Sequence, residues 1–237
     1  MAAKSAWPKK IRPRSREEQA RFDDWQHVWL QRANGTAALS RFNHGYVLAA
    51  SRGHQGPTLE VGAGRGEHLA LEAGRGFPLK DYHVVEWLPS MAKVLRASFK
   101  QATVKVADCQ KRMPYGARSF DRIIAIHVLE HLPNLPGFLR EAHRLLRRPQ
   151  GRLYVVIPCE GGWGYSVARH FTSKAQYEKR YGLPYEQHIK SDHVNNAREV
   201  IEELDRLFEP EDRQWWPARL PTIHLNLCLG LTLKPRP

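Results

Sequence analysis

The sequence predicts an α/β protein built on a doubly wound, mostly parallel sheet that closes with an antiparallel C-terminal hairpin. Three observations carry this reading. An apolar, β-prone run at 58–61 enters three glycines at alternate positions, Gly62, Gly64 and Gly66, and a helix-compatible stretch follows; this reads as strand, tight turn, helix. Short apolar runs at 82–85, 103–107, 123–126 and 153–157 then alternate with amphipathic stretches, the pattern of parallel strands joined by crossover helices. Last, Leu225, Leu227, Leu229, Leu231 and Leu233 alternate with Asn226, Cys228, Gly230 and Thr232, the period of two that marks a strand.

The chain divides into a basic tail with an N-terminal helix, 1–35, and a main domain, 36–237. Lys4, Lys9, Lys10, Arg12 and Arg14 stand among Pro8 and Pro13 with little to bury, so 1–14 is expected to be solvated and flexible. Ser15 and Glu18 have the spacing of a capping box, and Phe22, Trp25 and Trp29 recur at helical intervals until Asn34-Gly35; the aromatic stripe is expected to pack onto the main domain. A second helix covers 37–51. The net charge of +13 favours an anionic partner, whether nucleic acid, a phosphorylated metabolite or an acidic membrane surface. Three isolated cysteines, no membrane-length apolar run and no signal-peptide core point to a cytoplasmic protein with reduced thiols.

The glycine loop demands a ligand, because backbone angles closed to residues with a Cβ let a small molecule approach the main chain. Counting six from Gly62 reaches Glu67 and from Gly64 reaches Leu69, so G-x-G-x-x-G fits in neither register, and no Gly-Lys-Ser/Thr follows. What remains is Glu60-x-Gly62-x-Gly64-x-Gly66. This resembles the first motif of the class I S-adenosylmethionine (SAM) dependent methyltransferases. Ser119-Phe120-Asp121 leading into a strand that ends in His127-x-Leu129-Glu130-His131 resembles the type 11 group of the same enzymes. The two motifs agree in order and distance, and the resemblance spans roughly 58–158. It implies a seven-stranded Rossmann-like sheet and SAM as cofactor.

Glu86 follows the second predicted strand about 20 positions past the glycine loop, where doubly wound folds hold ribose hydroxyls. By resemblance, Glu60 and the backbone of Gly62, Ala63 and Gly64 hold the amino acid end of the cofactor, and Trp87 lies against the adenine. Asp108 accepts from the adenine amino group, the Cys109 backbone meets the ring, and His127 faces the methionine portion while Glu130 and His131 brace the loop. His127-x-x-Glu130-His131 also matches an inverted zinc-protease signature. That chemistry needs both histidines on one helical face, whereas here a strand runs into His127 and Pro133 interrupts two residues past His131, so no metal is expected.

After 153–157 the alternation breaks down, and 159–196 reads as a substrate-side insertion rich in aromatics, bases and histidines. The acceptor is expected here. His188 and His193 are the candidate general bases, since imidazole titrates near neutrality, with His127 behind them. Ile157-Pro158-Cys159-Glu160 departs from the Asn-Pro-Pro-Tyr motif of amino-group nucleic-acid methyltransferases. The expected activity is therefore methyl transfer from SAM to a small-molecule or lipid-linked, anionic acceptor. An RNA or protein methyltransferase using the basic tail, and a SAM-binding module that transfers nothing, are the alternatives.

Overall fold

A computed structural model describes residues 6–32, 37–54 and 56–237. Its strands are β1 (Thr58–Val61), β2 (Tyr82–Glu86), β3 (Thr103–Val106), β4 (Arg122–Ile126), β5 (Arg152–Pro158), β6 (Phe208–Pro217) and β7 (Asn226–Pro235). They form a seven-stranded sheet in the order β3-β2-β1-β4-β5-β7-β6. The first five run parallel, and β7 lies antiparallel between β5 and β6. The expected sheet and its closing hairpin are both present. Order reverses between β1 and β4, and in open α/β sheets ligands bind in the crevice at that reversal, outside the strands' carboxyl ends.

Burial on both faces explains why the central strands are continuously apolar. On one side Leu59, Val61, Ile123, Ala125 and Val155 meet α5 (Leu135–Leu145) and α9 (Ala197–Leu207) through Phe138, Leu139, Val200 and Leu204. On the other, Ile124, Tyr154 and Val156 meet Tyr46 and Val47 of α2 (Ala37–Ala50). Leu69 of α3 (Glu67–Gly74) and Ala92 and Leu95 of α4 (Pro89–Ser98) cover Tyr82 and Val84. Each fully buried large apolar side chain contributes roughly 1.5–3 kcal/mol, so packing rather than helix propensity fixes these helices. A buried ion pair lies inside this layer. Arg122, 1% exposed, donates to Glu72 at 2.8 Å, Thr58 at 2.7 Å and Ser51 at 3.0 Å, tying the turn after α2, α3, β1 and β4 together.

One region differs from expectation. Residues 7–14 are not a solvated arm: Trp7 donates its indole N–H to Glu203 at 3.1 Å, and the Lys9 amide donates to Pro133 O at 2.8 Å. Lys9 Nζ reaches Val194 O and Glu199, both at 2.7 Å. The acidic face of α9 gives Trp7 and Lys9 partners that sequence proximity did not show. The Ser15–Glu18 capping box forms as expected and opens α1 (Arg16–Arg32).

The insertion folds as α6 (Trp163–Arg169), a π-helical turn (His170–Lys174), α7 (Ala175–Tyr181) and α8 (Tyr185–Asp192). Tyr177, Tyr181, Tyr185 and His188 recur at helical spacing because they line one face, and α1 covers it: Trp25 packs edge-on against Tyr177 with ring centroids 5.2 Å apart. The aromatic stripe thus docks on the main domain through the insertion. The Trp29 side chain and the Asn34-Gly35 stop lie outside the described residues. Among the described residues no helix is long and apolar enough to cross a membrane.

Candidate active site

The loop after β1 places three glycines at positive φ: Gly62 at 65°, Gly64 at 55° and Gly66 at 86°. Their reasons differ. A Cβ on Gly62 would meet Val128 Cγ2 at 2.7 Å, and one on Gly66 would meet Phe99 Cε2 at 2.5 Å, so protein packing demands both. A Cβ on Gly64 meets nothing within 4 Å. The middle glycine therefore faces open space, which suits a ligand lying on the main chain, and the residues present fit a nucleotide-like cofactor.

Glu86, 6% exposed, closes the side of this loop. Its carboxylate accepts from the Gly64 amide at 3.2 Å and from the Leu88 amide at 3.0 Å. Trp87 beside it is 64% exposed, an aromatic plane left open at the end of β2. Asp108 follows β3 and accepts from the Gln110 backbone and side chain, each at 3.0 Å. The Cys109 thiol is pushed up to about 12 by burial, so it stays protonated. Glu60 is placed differently from a group that reaches a ligand directly: it is 3% exposed and accepts from the Tyr82 hydroxyl at 2.7 Å beneath the loop. Burial raises its pKa.

Beyond β4 the chain turns sharply at His127, φ 53°, whose amide donates to Val156 O at 2.9 Å. His127 Nδ1 stands 3.2 Å from Glu130, and Val128 of the same turn is the side chain beneath Gly62. The turn continues as a short helical segment (Leu129–His131), so His127 and His131 do not share a long helix face. His131 Nδ1 meets Asp192 at 3.0 Å and His193 Nδ1 meets Glu160, with the two rings edge to face at 4.8 Å. Burial would push His131 down, yet the Asp192 carboxylate outweighs it and lifts the imidazole to about 9. Burial likewise opposes Asp192, and the facing His131 brings it down to about 2. Asn195 locks the turn by donating to Leu129 O at 2.7 Å and Leu132 O at 2.8 Å. The roles of Asp192 and Asn195 had no local signal in the sequence, since their partners lie about sixty residues upstream.

The two candidate bases separate here. His193 stands with Glu160 beside the β4 turn. His188 is packed against Phe22, Trp25, Tyr177 and Tyr185, and burial pushes it down to about 4; it is a packing residue. A cavity of about 330 Å³ opens nearby between residues 10–21 and the insertion, and Lys10, Arg12, Arg14, Arg21 and Lys190 line it.

A seven-stranded sheet with a glycine loop at its switch point and carboxylates at the ends of β2 and β3 defines a class I SAM-dependent methyltransferase. Residues 36–228 match a family described as a methyltransferase domain, and the chain belongs to that family. It is 29% identical over 139 residues to the demethylmenaquinone methyltransferase of Tropheryma whipplei (strain Twist), a match covering 58% of this chain and 53% of that one. The chain thus spans about half the length of the curated relatives it matches. Among solved structures, a Pyrococcus horikoshii OT3 protein aligns with TM-score 0.63 at 17% identity, covering 85% of this chain and 92% of its own. A TehB-like SAM-dependent methyltransferase from Corynebacterium glutamicum aligns with TM-score 0.59 at 16% identity, covering 92% and 100%. At such identities the structures show the shared fold.

Proposed function

We propose that this enzyme moves the methyl group of SAM to a small-molecule or lipid-linked, anionic acceptor held between the β4 turn and the insertion, in the cytoplasm. The observation that supports this most is the Gly64–Glu86 cradle, where an open glycine backbone stands beside a carboxylate at the topological switch point. When bound, SAM supplies a methyl group already activated by its positively charged sulfur. Gly62, Ala63 and Gly64 hold its amino acid end through their backbone, and Glu60 acts from below by fixing Tyr82 and the strand end. Glu86 takes the ribose, Trp87, Asp108 and the Cys109 backbone take the adenine, and His127 borders the methionine portion.

The protein's remaining task is alignment, because an activated methyl group needs the acceptor in line and shielded from water. His193, steadied by Glu160, is the residue through which the insertion reaches the reacting end. An anionic acceptor is supported by Lys10, Arg14, Arg21 and Lys190 around the neighbouring cavity, where Arg12 is paired with Glu18, and by the overall positive charge. A small acceptor is supported by the demethylmenaquinone methyltransferases among the relatives. Three unpaired cysteines support the cytoplasmic placement.

Incubation of the enzyme with methyl-labelled SAM and fractionated extract tests the reading. Label is expected in the metabolite or lipid fraction. Label confined to RNA or protein overturns the acceptor class, and calorimetric SAM binding with no label transferred to any fraction makes the chain a binding module.

A further inference from the structure

We propose that Glu130, His131 and His193 form a binding site for one divalent first-row transition-metal ion. One ligand atom from each lies within 4.8 Å of the others, although the three come from the turn after β4 and from the end of α8. Glu130 carries the main argument. It is 2% exposed, one oxygen faces His127, and the other, Oε2, is buried with no hydrogen-bond partner. A buried carboxylate oxygen without a donor is costly, and a cation is the natural partner for it.

The histidines are arranged as metal ligands are. Each has its Nδ1 taken by a carboxylate, His131 by Asp192 at 3.0 Å and His193 by Glu160, which leaves Nε2 for coordination once the ion displaces the proton that His131 carries there, that proton passing to solvent. Such carboxylate–histidine pairs fix the ring and raise its basicity as a ligand. Glu160 is itself held by Arg169 at 2.7 Å, so the outer layer is built as well. Zinc–nitrogen bonds of about 2.0–2.1 Å would draw the donors inward from their present spacing. Two imidazoles and one carboxylate favour zinc, cobalt, iron or nickel over magnesium or calcium, and three protein ligands leave positions open for a substrate. The H-x-x-E-H string is therefore not a helical zinc signature. Its last two residues take their third partner from the insertion.

The catalytic consequence rests on the methyltransferase reading; the ion binding does not. An ion here would hold an acceptor oxygen beside the β4 turn and stabilise it as the anion, its proton passing to solvent. His193 then serves as a ligand rather than a proton acceptor, and the acceptor class narrows to oxygen nucleophiles.

Untagged, metal-stripped protein titrated with Co²⁺ tests this through the visible absorption of the bound ion, with Zn²⁺ competition giving affinity. One ion per chain is expected. His193→Ala and Glu130→Gln should each weaken binding at least about tenfold, and Glu160→Gln should weaken it by about tenfold through the outer layer. The exposed His170→Ala should change nothing. Thermal melts accompany each variant, and His193→Gln replaces His193→Ala if the latter melts early. Absence of a Co²⁺ spectrum, undiminished binding by both His193 variants, or equal competition by Mg²⁺ overturns the proposal. Calorimetric SAM binding in chelator is measured separately, so the metal site can fail while the methyltransferase reading stands.

Discussion

Gly64 donates its amide to the carboxylate of Glu86 across a gap of 22 positions in the chain, at 3.2 Å, so the end of β2 sets the height of the glycine loop that follows β1. A charge-assisted bond of this kind is worth more than a neutral one. Glu86→Ala is expected to weaken SAM binding by about 1–3 kcal/mol, measured by calorimetry at fixed pH. An unchanged affinity would remove the ribose assignment.

Gly62→Ala and Gly64→Ala should part company. Both put an L residue at positive φ, at roughly 1–2 kcal/mol, but only the first drives a methyl group into Val128, 2.7 Å away, adding about 1–3 kcal/mol of overpacking. Gly62→Ala should show the larger drop in melting temperature. Gly64→Ala should melt closer to wild type yet lose about tenfold or more in SAM affinity, roughly 1.4 kcal/mol. Equal melting losses with wild-type SAM binding in both would contradict this division of labour.

Arg122→Met leaves buried Glu72, 5% exposed, without its guanidinium and with His68, 3.6 Å away, as its remaining ion-pair partner among the described residues. Stranding one member of a buried pair costs about 3–5 kcal/mol. Denaturant unfolding should show that loss, and Arg122→Met combined with Glu72→Met should recover much of it. If the double variant is no more stable than the single one, the pair is not the source of the cost.

His188 makes stability depend on pH in one direction. In the unfolded chain it takes up a proton near 6.5, whereas burial among aromatic rings holds the folded imidazole at about 4, with Asp192 pulling upward and Arg14 and His193 pushing down. The folded state is unaffected above pH 6.5 and loses stability as pH falls from there toward 4, by up to about 3 kcal/mol. Replacing His188 by Leu should flatten that part of the profile in denaturation experiments between pH 7.5 and 5. A profile as steep in His188→Leu as in wild type would assign the acid sensitivity elsewhere.

How much of this was legible in the sequence follows from how local each cause is. β1 through β5 and the Gly62–Gly66 loop could be read because their signals, continuous apolar runs and glycines in a tight turn, act over a few residues. The burial of Arg122 had no local signal, since Glu72 and Ser51, which receive it, are 50 and 71 positions away. His188 looked like a base because its neighbours Phe22 and Trp25 arrive from the other end of the chain. The helices of the insertion were hidden for a similar reason: Gly182, at φ 64°, interrupts the aromatic repeat of Tyr177, Tyr181 and Tyr185 that the fold nonetheless uses.

Lys9 holds the loop beyond β4 through Pro133 and the exit of the insertion through Val194. Those two segments also carry Glu130 and His193. One clip near the chain's beginning thus sets the spacing between the turn after β4 and the exit of the insertion, and a protease cut beside it would loosen that spacing.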